Sequence, residues 1–262
     1  WKVSALRKWY HPHGQMSEAF RNSVFLTLSG GFQDAYTYIG RGKVFANAQT
    51  GNIVLLATNL CEGNFARVGH YLVPLLAFVA GVLFAEAIHE RFHRMEKLHW
   101  RQLVLAIEIL LLAAVGFVPQ SMNLLANALV SFVCAMQVQT FRKVRGNVCS
   151  TTMCIGNLRS GTQYLYDWLK YKDPAVLSRA LQYFGTIVLF GAGAAAGSLM
   201  TMQFGMWVIW VSSALLSVSF FLMFWKADEK ELQVVGRKLE RELCTVEEKA
   251  EHKLEHLEEK HR

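Results

Sequence analysis

The sequence predicts an all-α, polytopic membrane protein with six transmembrane helices, arranged as two inverted three-helix repeats. Three observations predict this class: long apolar runs, an alternation of basic and uncharged connections, and a weak internal duplication. Of the 262 residues, 53% are hydrophobic and 12% are aromatic, which is high for a soluble domain. Because the charges lie in a few blocks, the mean hydropathy of +0.22 understates how apolar the runs are.

Six segments are long and apolar enough to be membrane helices, since such a helix needs about 20 residues to cross the hydrocarbon core. The first segment becomes polar toward its C-terminal half, whereas the other five are more uniformly apolar. The predicted spans are residues 19–40, 69–90, 101–118, 122–141, 179–201 and 205–225.

The connections between these spans alternate in charge. RFHRMEKLHWR follows the second span and six Lys or Arg follow the fourth, whereas PQS and MQF, after the third and fifth, carry no charge. Lys and Arg in short loops mark the cytoplasmic side, so the pattern places both termini in the cytoplasm. The first loop, with Arg41, Lys43 and Arg67, then lies outside and departs mildly from that rule. Basic loops also explain the net charge of +7, because no nucleic-acid-binding motif accompanies it.

The internal duplication involves one polar stretch in each half. GGFQDAYTYIGRGKVFANAQTGNIVLLATNL has a weaker copy about a hundred residues later, AMQVQTFRKVRGNVCSTTMCIGNLRSGTQYL. Gln33 aligns with Gln137, whereas the acid Asp34 has only a valine in the copy. After a shift of one residue, the triplets TGN and IGN align, and they end at Asn52 and Asn157.

Each half therefore holds three spans, and an odd number makes the second copy insert with the opposite orientation. The polar stretches predict short broken or re-entrant helices, one entering from each side of the membrane. The N-terminus of such a helix presents unpaired N–H groups and a partial positive charge, so two facing N-termini suit an anionic or strongly polar group. Gly81 and Gly193 each precede a small residue four positions on, a spacing that lets membrane helices approach closely.

The predicted organisation has four parts. Residues 1–18 form a basic cytoplasmic segment without a cleavable signal, residues 19–118 the first repeat and residues 119–227 the second. Residues 228–262 form an amphipathic cytoplasmic helix with apolar residues three or four apart. This stripe is typical of a coiled-coil homodimer and equally of a single helix, solvated or docked on the membrane face. The sequence leaves these readings open, together with an appended expression segment.

Asp34 is the sharpest functional candidate, because an acid within a span is costly and marks a functional site by default. It could carry a proton, bind a cation or contact the substrate; the alternative is a structural acid paired with Arg142 or Arg159. Glu108, about eight residues into the third span, is a candidate for coupling. Amides, hydroxyls and glycines complete a predicted solute site, although they could equally satisfy backbone at the helix breaks. The predicted site comprises Gln33, Asp34, Asn47, Gln49, Thr50, Gly51, Asn52, Gln137, Gln139, Asn147, Thr151, Thr152, Gly156 and Asn157.

His89 to His93 match the zinc-binding pattern H-E-x-x-H, with two His on one helix face. The match lies where the second span leaves the membrane, among basic residues that anchor ordinary helices, and it lacks an evident third ligand. The five Cys have no metal-binding spacing and are interpreted as free thiols. The sequence therefore predicts a protein that is not an enzyme, with no cofactor and no metal site.

GGFQDAYTYIGRGKVFANAQTGNIVLL, SFVCAMQVQTFRKVRGN and TTMCIGNLRSGTQ resemble the YoaK-like family, known as domain of unknown function 1275. The similarity extends over about residues 16–226. It implies a bacterial inner-membrane protein of six helices and implies no activity. The two halves differ within the motif, because Ile155 stands where the first half has Thr50. The family motif falls on Asp34, Ala35, Asn47, Thr50, Gly51 and Asn52, and on Gln137, Thr152, Gly156 and Asn157 in the second half.

The sequence favours a small secondary transporter or facilitator for a small polar or anionic solute, with a central site between halves that rock about it. A channel, whose broken helices form a filter, and a non-transporting scaffold, whose cytoplasmic helix binds a partner, are the alternatives. The expected partners are the lipid bilayer, the solute and, for the coiled-coil reading, a second copy of the chain. Nucleic acid is not expected.

Overall fold

The computed structural model of the chain describes residues 20–92, 100–144 and 147–223. The predicted N-terminal segment and the amphipathic helix at 228–262 lie outside the described residues. So does His93, the last residue of the H-E-x-x-H match. The chain divides into two units, of which the first ends at Phe221; only the first two residues of the second are described.

Helices dominate the described part of the chain. Two strands of two residues, Lys143–Val144 (β1) and Asn147–Val148 (β2), pair antiparallel after the fifth helix and were not predicted. Short 3-10 turns at Gln120–Met122 and Gly205–Val208 lead into α5 and α8. The helices are α1 Phe20–Gly40, α2 Gln49–Cys61, α3 Phe65–Phe92, α4 Trp100–Val115, α5 Asn123–Thr140, α6 Cys154–Tyr171, α7 Pro174–Phe204 and α8 209–223.

Each of the six predicted apolar segments coincides with one of the helices α1, α3, α4, α5, α7 and α8. The start of α7 lies five residues before the predicted start, because Asp173 accepts a hydrogen bond from the Ala175 N–H and Pro174 occupies the first turn. Helices α2 and α6 begin at Gln49 and Cys154, one residue before the TGN and IGN triplets. The expectation of a short helix after each break holds for α2, with 13 residues, but α6 has 18 and is as long as α5.

Three stretches of the described residues are long and apolar enough to cross a membrane: Phe65–Phe92, Gln120–Thr140 and Pro174–Met223. The last contains 50 residues, and a straight helix of that length would measure about 75 Å at 1.5 Å per residue. That is more than twice the thickness of the hydrocarbon core. The 3-10 turn at Gly205–Val208 divides this stretch into α7 and α8.

Two close helix contacts organise the packing, α7 against α1 and α3 against α5. A Cβ added to Gly193 on α7 would lie 2.2 Å from the carbonyl oxygen of Leu28 on α1. A Cβ added to Gly81 on α3 would lie 2.4 Å from the carbonyl oxygen of Phe132 on α5. Neither distance is sterically tolerable, so both contacts require glycine, as the small-residue spacing predicts.

These two contacts correspond under the sequence alignment, and the buried positions do so as well. Leu28 and Phe132 are separated by 104 positions, as are Gln33 and Gln137. Every buried residue of α5 falls on a buried residue of α1 under this shift. The same shift relates five of the six buried residues of α4 to buried residues of the 3-10 turn and α8: Val104, Leu105, Glu108, Leu112 and Val115 correspond to Val208, Ile209, Ser212, Leu216 and Ser219. The sixth, Gln102, corresponds to Met206, which is only half-buried.

Candidate functional site

The chain doubles back after α1 and runs along it toward the middle of the helix. The side-chain Nδ2 of Asn47 donates to the carbonyl oxygen of Gly30 at 3.1 Å. Gly30 lies ten residues before the end of α1, about 15 Å back along the axis. Val44, Ala46 and Asn47 are buried, so this irregular backbone is enclosed by protein. We call residues 41–48 the first broken element.

Asp34 caps the helix that follows the first broken element. Its Oδ1 accepts a hydrogen bond from the backbone N–H of Asn47 at 2.6 Å, and the amides of Ala46 and Ala48 also bond to the carboxyl group. Ala48, the N-cap residue of α2, offers no side-chain cap of its own. A carboxylate at this position satisfies the unpaired N–H groups and complements the positive end of the helix dipole. The N-terminus of α2 therefore already holds an anion, supplied by α1.

The expected basic partners of Asp34 are not beside it. Arg142 and Arg159 are both exposed, whereas Asp34 is buried. Among the described residues, no Lys or Arg forms an ion pair with its carboxyl group. Backbone amides therefore bond to the Asp34 carboxyl group in place of the expected basic side chain.

Asn52 and Asn157 support the two broken elements in the same way. Nδ2 of Asn52 donates to the Phe45 carbonyl oxygen at 2.6 Å, and its Oδ1 accepts from the Phe45 N–H at 3.0 Å. Nδ2 of Asn157 donates to the Ser150 carbonyl oxygen at 2.6 Å, and its Oδ1 accepts from the Ser150 N–H at 3.3 Å. Each asparagine thus holds both polar groups of the residue seven positions earlier. This is the backbone-satisfying role that the sequence left open for these amides.

The second broken element, which we define as residues 141–153, is capped by a hydroxyl instead of a carboxylate. Oγ of Ser150 accepts from the backbone N–H groups of Thr152 at 3.3 Å and of Met153 at 3.1 Å. Ser and Thr are ordinary N-cap residues, so the start of α6 is satisfied locally. The valine that aligns with Asp34 could not provide an acceptor for these amides.

Both broken elements reach α1 at Gly30. Asn47 of the first element bonds to the Gly30 carbonyl oxygen, and Cγ2 of Thr152 in the second lies 2.8 Å from an ideal Cβ built on Gly30. A side chain at this position would therefore displace the second element. The two polar interruptions therefore contact α1 at the same residue.

The aligned glutamines lie on either side of this meeting point, and both are fully buried. Nε2 of Gln33 donates to the hydroxyls of Ser29 at 2.9 Å and Ser212 at 3.0 Å, and these two serines bond to each other at 2.6 Å. Oε1 of Gln33 accepts from the Cys134 thiol at 2.9 Å. Together these groups connect α1, α5 and α8 through polar contacts in the core.

Gln137 connects the second element to α1. Its Nε2 donates to the Leu26 carbonyl oxygen at 2.9 Å and to Oγ1 of Thr151 at 3.2 Å. Its Oε1 is buried and has no hydrogen-bond partner among the described residues. Oδ1 of Asn47 and both carboxyl oxygens of Glu108 are also buried without a partner among the described residues. We call Gly30, Gln33, Asp34, Asn47, Glu108, Cys134, Gln137, Thr151 and Thr152 the central polar cluster.

The remaining predicted site residues lie apart from this cluster. Gln49 donates to the Ala46 carbonyl oxygen and accepts from Asn52, and Thr50 and Gly156 are exposed. Gly51 is half-buried beneath the ring of Phe45, and Asn147 belongs to β2.

Gln139, in the last turn of α5, bonds to Glu86 of α3 beside a shallow pocket that His89 and Glu90 line. Glu86 and His89 approach to 3.6 Å, and each is about half exposed. No group of three His, Cys, Asp or Glu residues that could hold a metal ion occurs in the described ranges.

Arg41 is fully buried, although the sequence places it in an external loop. Its Nε and Nη2 donate to the Tyr36 hydroxyl at 2.9 and 2.7 Å. Nη2 also reaches the carbonyl oxygen of Val115, the last residue of α4, and Nη1 reaches Asn123 and the Pro119 carbonyl oxygen. A cation suits the negative end of a helix dipole. Arg41 is thus a structural cap and does not count as a loop charge.

Four residues that form these polar contacts were not among the predicted site residues. Ser29, Ser212 and Ser150 are common residues with no distinguishing neighbours, and Cys134 was interpreted only as a free thiol in an apolar run. The alignment held a signal for one of them, because Ser212 corresponds to Glu108 under the shift that relates the glutamines.

The family model described as "Protein of unknown function (DUF1275)" matches residues 23–222. The chain is 27% identical over 216 residues to the UPF0700 transmembrane protein YoaK of Bacillus subtilis (strain 168), an alignment that covers 76% of this chain and 92% of that protein. No solved structure shows significant similarity to the chain. The family match covers well over half of the sequence, and the apolar helices agree with the transmembrane relative. The chain therefore belongs to the DUF1275 family and is a multi-pass membrane protein.

Proposed function

We propose that the protein is a small secondary transporter or facilitator, and not an enzyme, that moves a small polar solute across the inner membrane. The solute would bind at the central polar cluster, between two inverted three-helix repeats that rock about it. The first repeat comprises α1, α3 and α4, and the second comprises α5, α7 and α8. Both termini would lie in the cytoplasm.

Matched contacts support the repeat. The glycine contacts of α7 with α1 and of α3 with α5 correspond under the alignment, and so do the asparagine ties of the two broken elements. A repeat of three spans reverses its orientation in the second copy, so the broken elements would enter from opposite sides. The charge distribution agrees with this orientation. Helix α2 carries no charged residue, whereas α6, which would lie on the cytoplasmic side, carries Arg159 and Lys170.

One observation carries the proposal: two interruptions, one from each half, meet at Gly30 among buried polar groups. Irregular backbone and unpartnered polar atoms are expensive in a membrane protein unless they serve a solute pathway or are enclosed by protein. A non-transporting scaffold would not require unpartnered hydrogen-bond acceptors buried between its halves. Discontinuous helices at such a position are a recurring feature of secondary transporters.

The first test is a metabolite screen by thermal unfolding of the purified protein, because a ligand that binds only the folded state raises its melting temperature. The hits are then tested for uptake into proteoliposomes as radiolabelled solutes. We expect saturable uptake that Gly30→Val abolishes, because a branched side chain at this position would displace Thr152.

Gly191→Val is the matched control, since nothing lies within 4 Å of a Cβ at Gly191. Uptake should survive that change. Flux that does not saturate would favour the channel, and a folded protein that transports none of the hits would contradict the proposal.

A further inference from the structure

The unfilled polar atoms of the central polar cluster are all hydrogen-bond acceptors. They are the two carboxyl oxygens of Glu108, Oε1 of Gln137 and Oδ1 of Asn47. Glu108 and Gln137 are fully buried, and Asn47 is 5% exposed. The donors of the same amides are already used, by Leu26 and Thr151 in one case and by Gly30 in the other. The unpartnered atoms are thus all acceptors, and no Lys or Arg belongs to the cluster.

The repeat indicates how Glu108 stands relative to Gln137. Ser212 of α8, in the second repeat, bonds to Gln33 and Ser29 of α1, in the first. Gln33 and Gln137 are 104 positions apart, and so are Glu108 and Ser212. Under the alignment, Glu108 therefore corresponds to the serine that bonds to Gln33, and Gln137 corresponds to Gln33. The charges of Asp34 and Glu108 both act on the Cys134 thiol, so the thiol lies within electrostatic reach of both carboxyl groups.

An anion would find little to bind here. The Asp34 carboxyl group accepts from the amides just before α2, and Ser150 accepts from those of Thr152 and Met153, just before α6. Arg41 is committed to Tyr36 and to carbonyl oxygens at the end of α4. An anionic solute would therefore meet an acid at the start of α2 and would find no unengaged Arg41.

We infer that the central polar cluster binds a small monovalent cation, an alkali ion or ammonium, through the Glu108 carboxylate and the Gln137 amide oxygen. A carboxylate buried without a partner costs far more than a paired one, and a bound cation removes that cost. Carboxylate and amide oxygens are the ligands that hard cations take. Enclosure of both side chains restricts the ligand to a small ion. The inference rests on the proposed function, because it takes the cluster to be the solute or coupling-ion site.

The experiment measures thermal unfolding of the purified protein in choline chloride, a cation too large for the cluster. Sodium, potassium or ammonium chloride then replaces the choline salt, and choline formate or nitrate serves as the anion arm. We expect at least one small cation to raise the melting temperature in a saturable manner and the anions to leave it unchanged. The cation that acts distinguishes an alkali ion from ammonium.

Glu108→Gln should abolish the response to the cation, since it removes the charge and keeps the shape. Glu108→Asp should retain the response at higher cation concentration, and it serves if the glutamine variant fails to fold. Glu86→Gln is the matched control, because Glu86 is half exposed and bonds to Gln139. That variant should respond as the wild type does.

A response to anions, no response to any small cation, or a cation response that survives Glu108→Gln would each overturn the inference. None of these outcomes measures flux, so the transporter proposal would stand or fall separately in the uptake assay. Conversely, cation binding without transport would contradict the proposed function and leave the cation site in place.

Discussion

The two broken elements share one support and differ in another. Asn52 and Asn157 hold the residue seven positions earlier by the same pair of hydrogen bonds. The helix that follows is capped by the Asp34 carboxylate from α1 in the first element, and by Ser150 within the second. Both elements thus have the asparagine that bonds to the backbone, whereas only the first is bonded by a carboxylate.

The same divergence separates α4 from α8. Most of their buried positions correspond, yet α4 carries Glu108 where α8 carries Ser212. Ser212 completes a closed set of hydrogen bonds, whereas both oxygens of Glu108 have no partner among the described residues. Asp34 and Glu108 both lie in the first half, and of the two only Asp34 is bonded by backbone amides.

The largest expected effect is that of Asp34→Ala. It leaves buried amides of the first broken element without an acceptor, so we expect the free energy of unfolding to fall by about 3 kcal/mol. Unfolding by SDS in mixed micelles measures this change. Val138→Ala, at the aligned position, is the control and should cost no more than about 1 kcal/mol. An equal loss for the two variants would refute the capping role of Asp34.

The next effect concerns the shared support. Asn52→Ala and Asn157→Ala each remove a donor and an acceptor from buried backbone, and each should lower the free energy of unfolding by about 2 kcal/mol. Asn52 also donates to Gln49, so its loss should be slightly larger. Thr58→Ala, on the exposed face of α2, should stay within about 0.5 kcal/mol. Unfolding by SDS in mixed micelles measures these changes as well. A negligible effect at either asparagine would contradict the shared supporting role.

The glycine contacts provide a test of the repeat itself. Gly193→Ala and Gly81→Ala place a methyl group against a backbone carbonyl, so each should destabilise the protein by about 2 kcal/mol. Gly191→Ala meets open space and should be neutral or stabilising, because alanine favours helix. Thermal unfolding of the three variants is the measurement. A strong effect at one contact and none at the other would argue against equivalent halves.

The smallest effect belongs to Ser150→Ala, which removes the local cap of the second element. We expect a loss of about 1 kcal/mol, the usual cost of an N-cap hydroxyl. Ser150→Asp should restore or exceed wild-type stability, because it returns a carboxylate to a helix N-terminus. If Ser150→Ala cost as much as Asp34→Ala, the two caps would be energetically equivalent after all.

Sequence reasoning predicted the helices because hydropathy is a local property of about 20 consecutive residues. It also located the breaks, since the TGN and IGN triplets recur in a duplicated context. It could not foresee what Asp34 contacts, because the amides of residues 46–48 return to α1 through a turn with no periodic signal. Arg41 was placed in a loop for the same reason: its partners lie on α4 and α5, far along the chain.

The sequence by itself determined that the chain is a helical membrane protein, because hydrophobic runs and family motifs are local properties of the sequence. Only the tertiary structure decided which polar groups are satisfied and which are left open. Asp34, Asn52 and Asn157 became supports of the backbone, and Glu108 was left as an unpartnered acid. Hydrogen bonding in a dry interior depends on pairs of atoms brought together from distant helices, and no sequence window contains both members of such a pair.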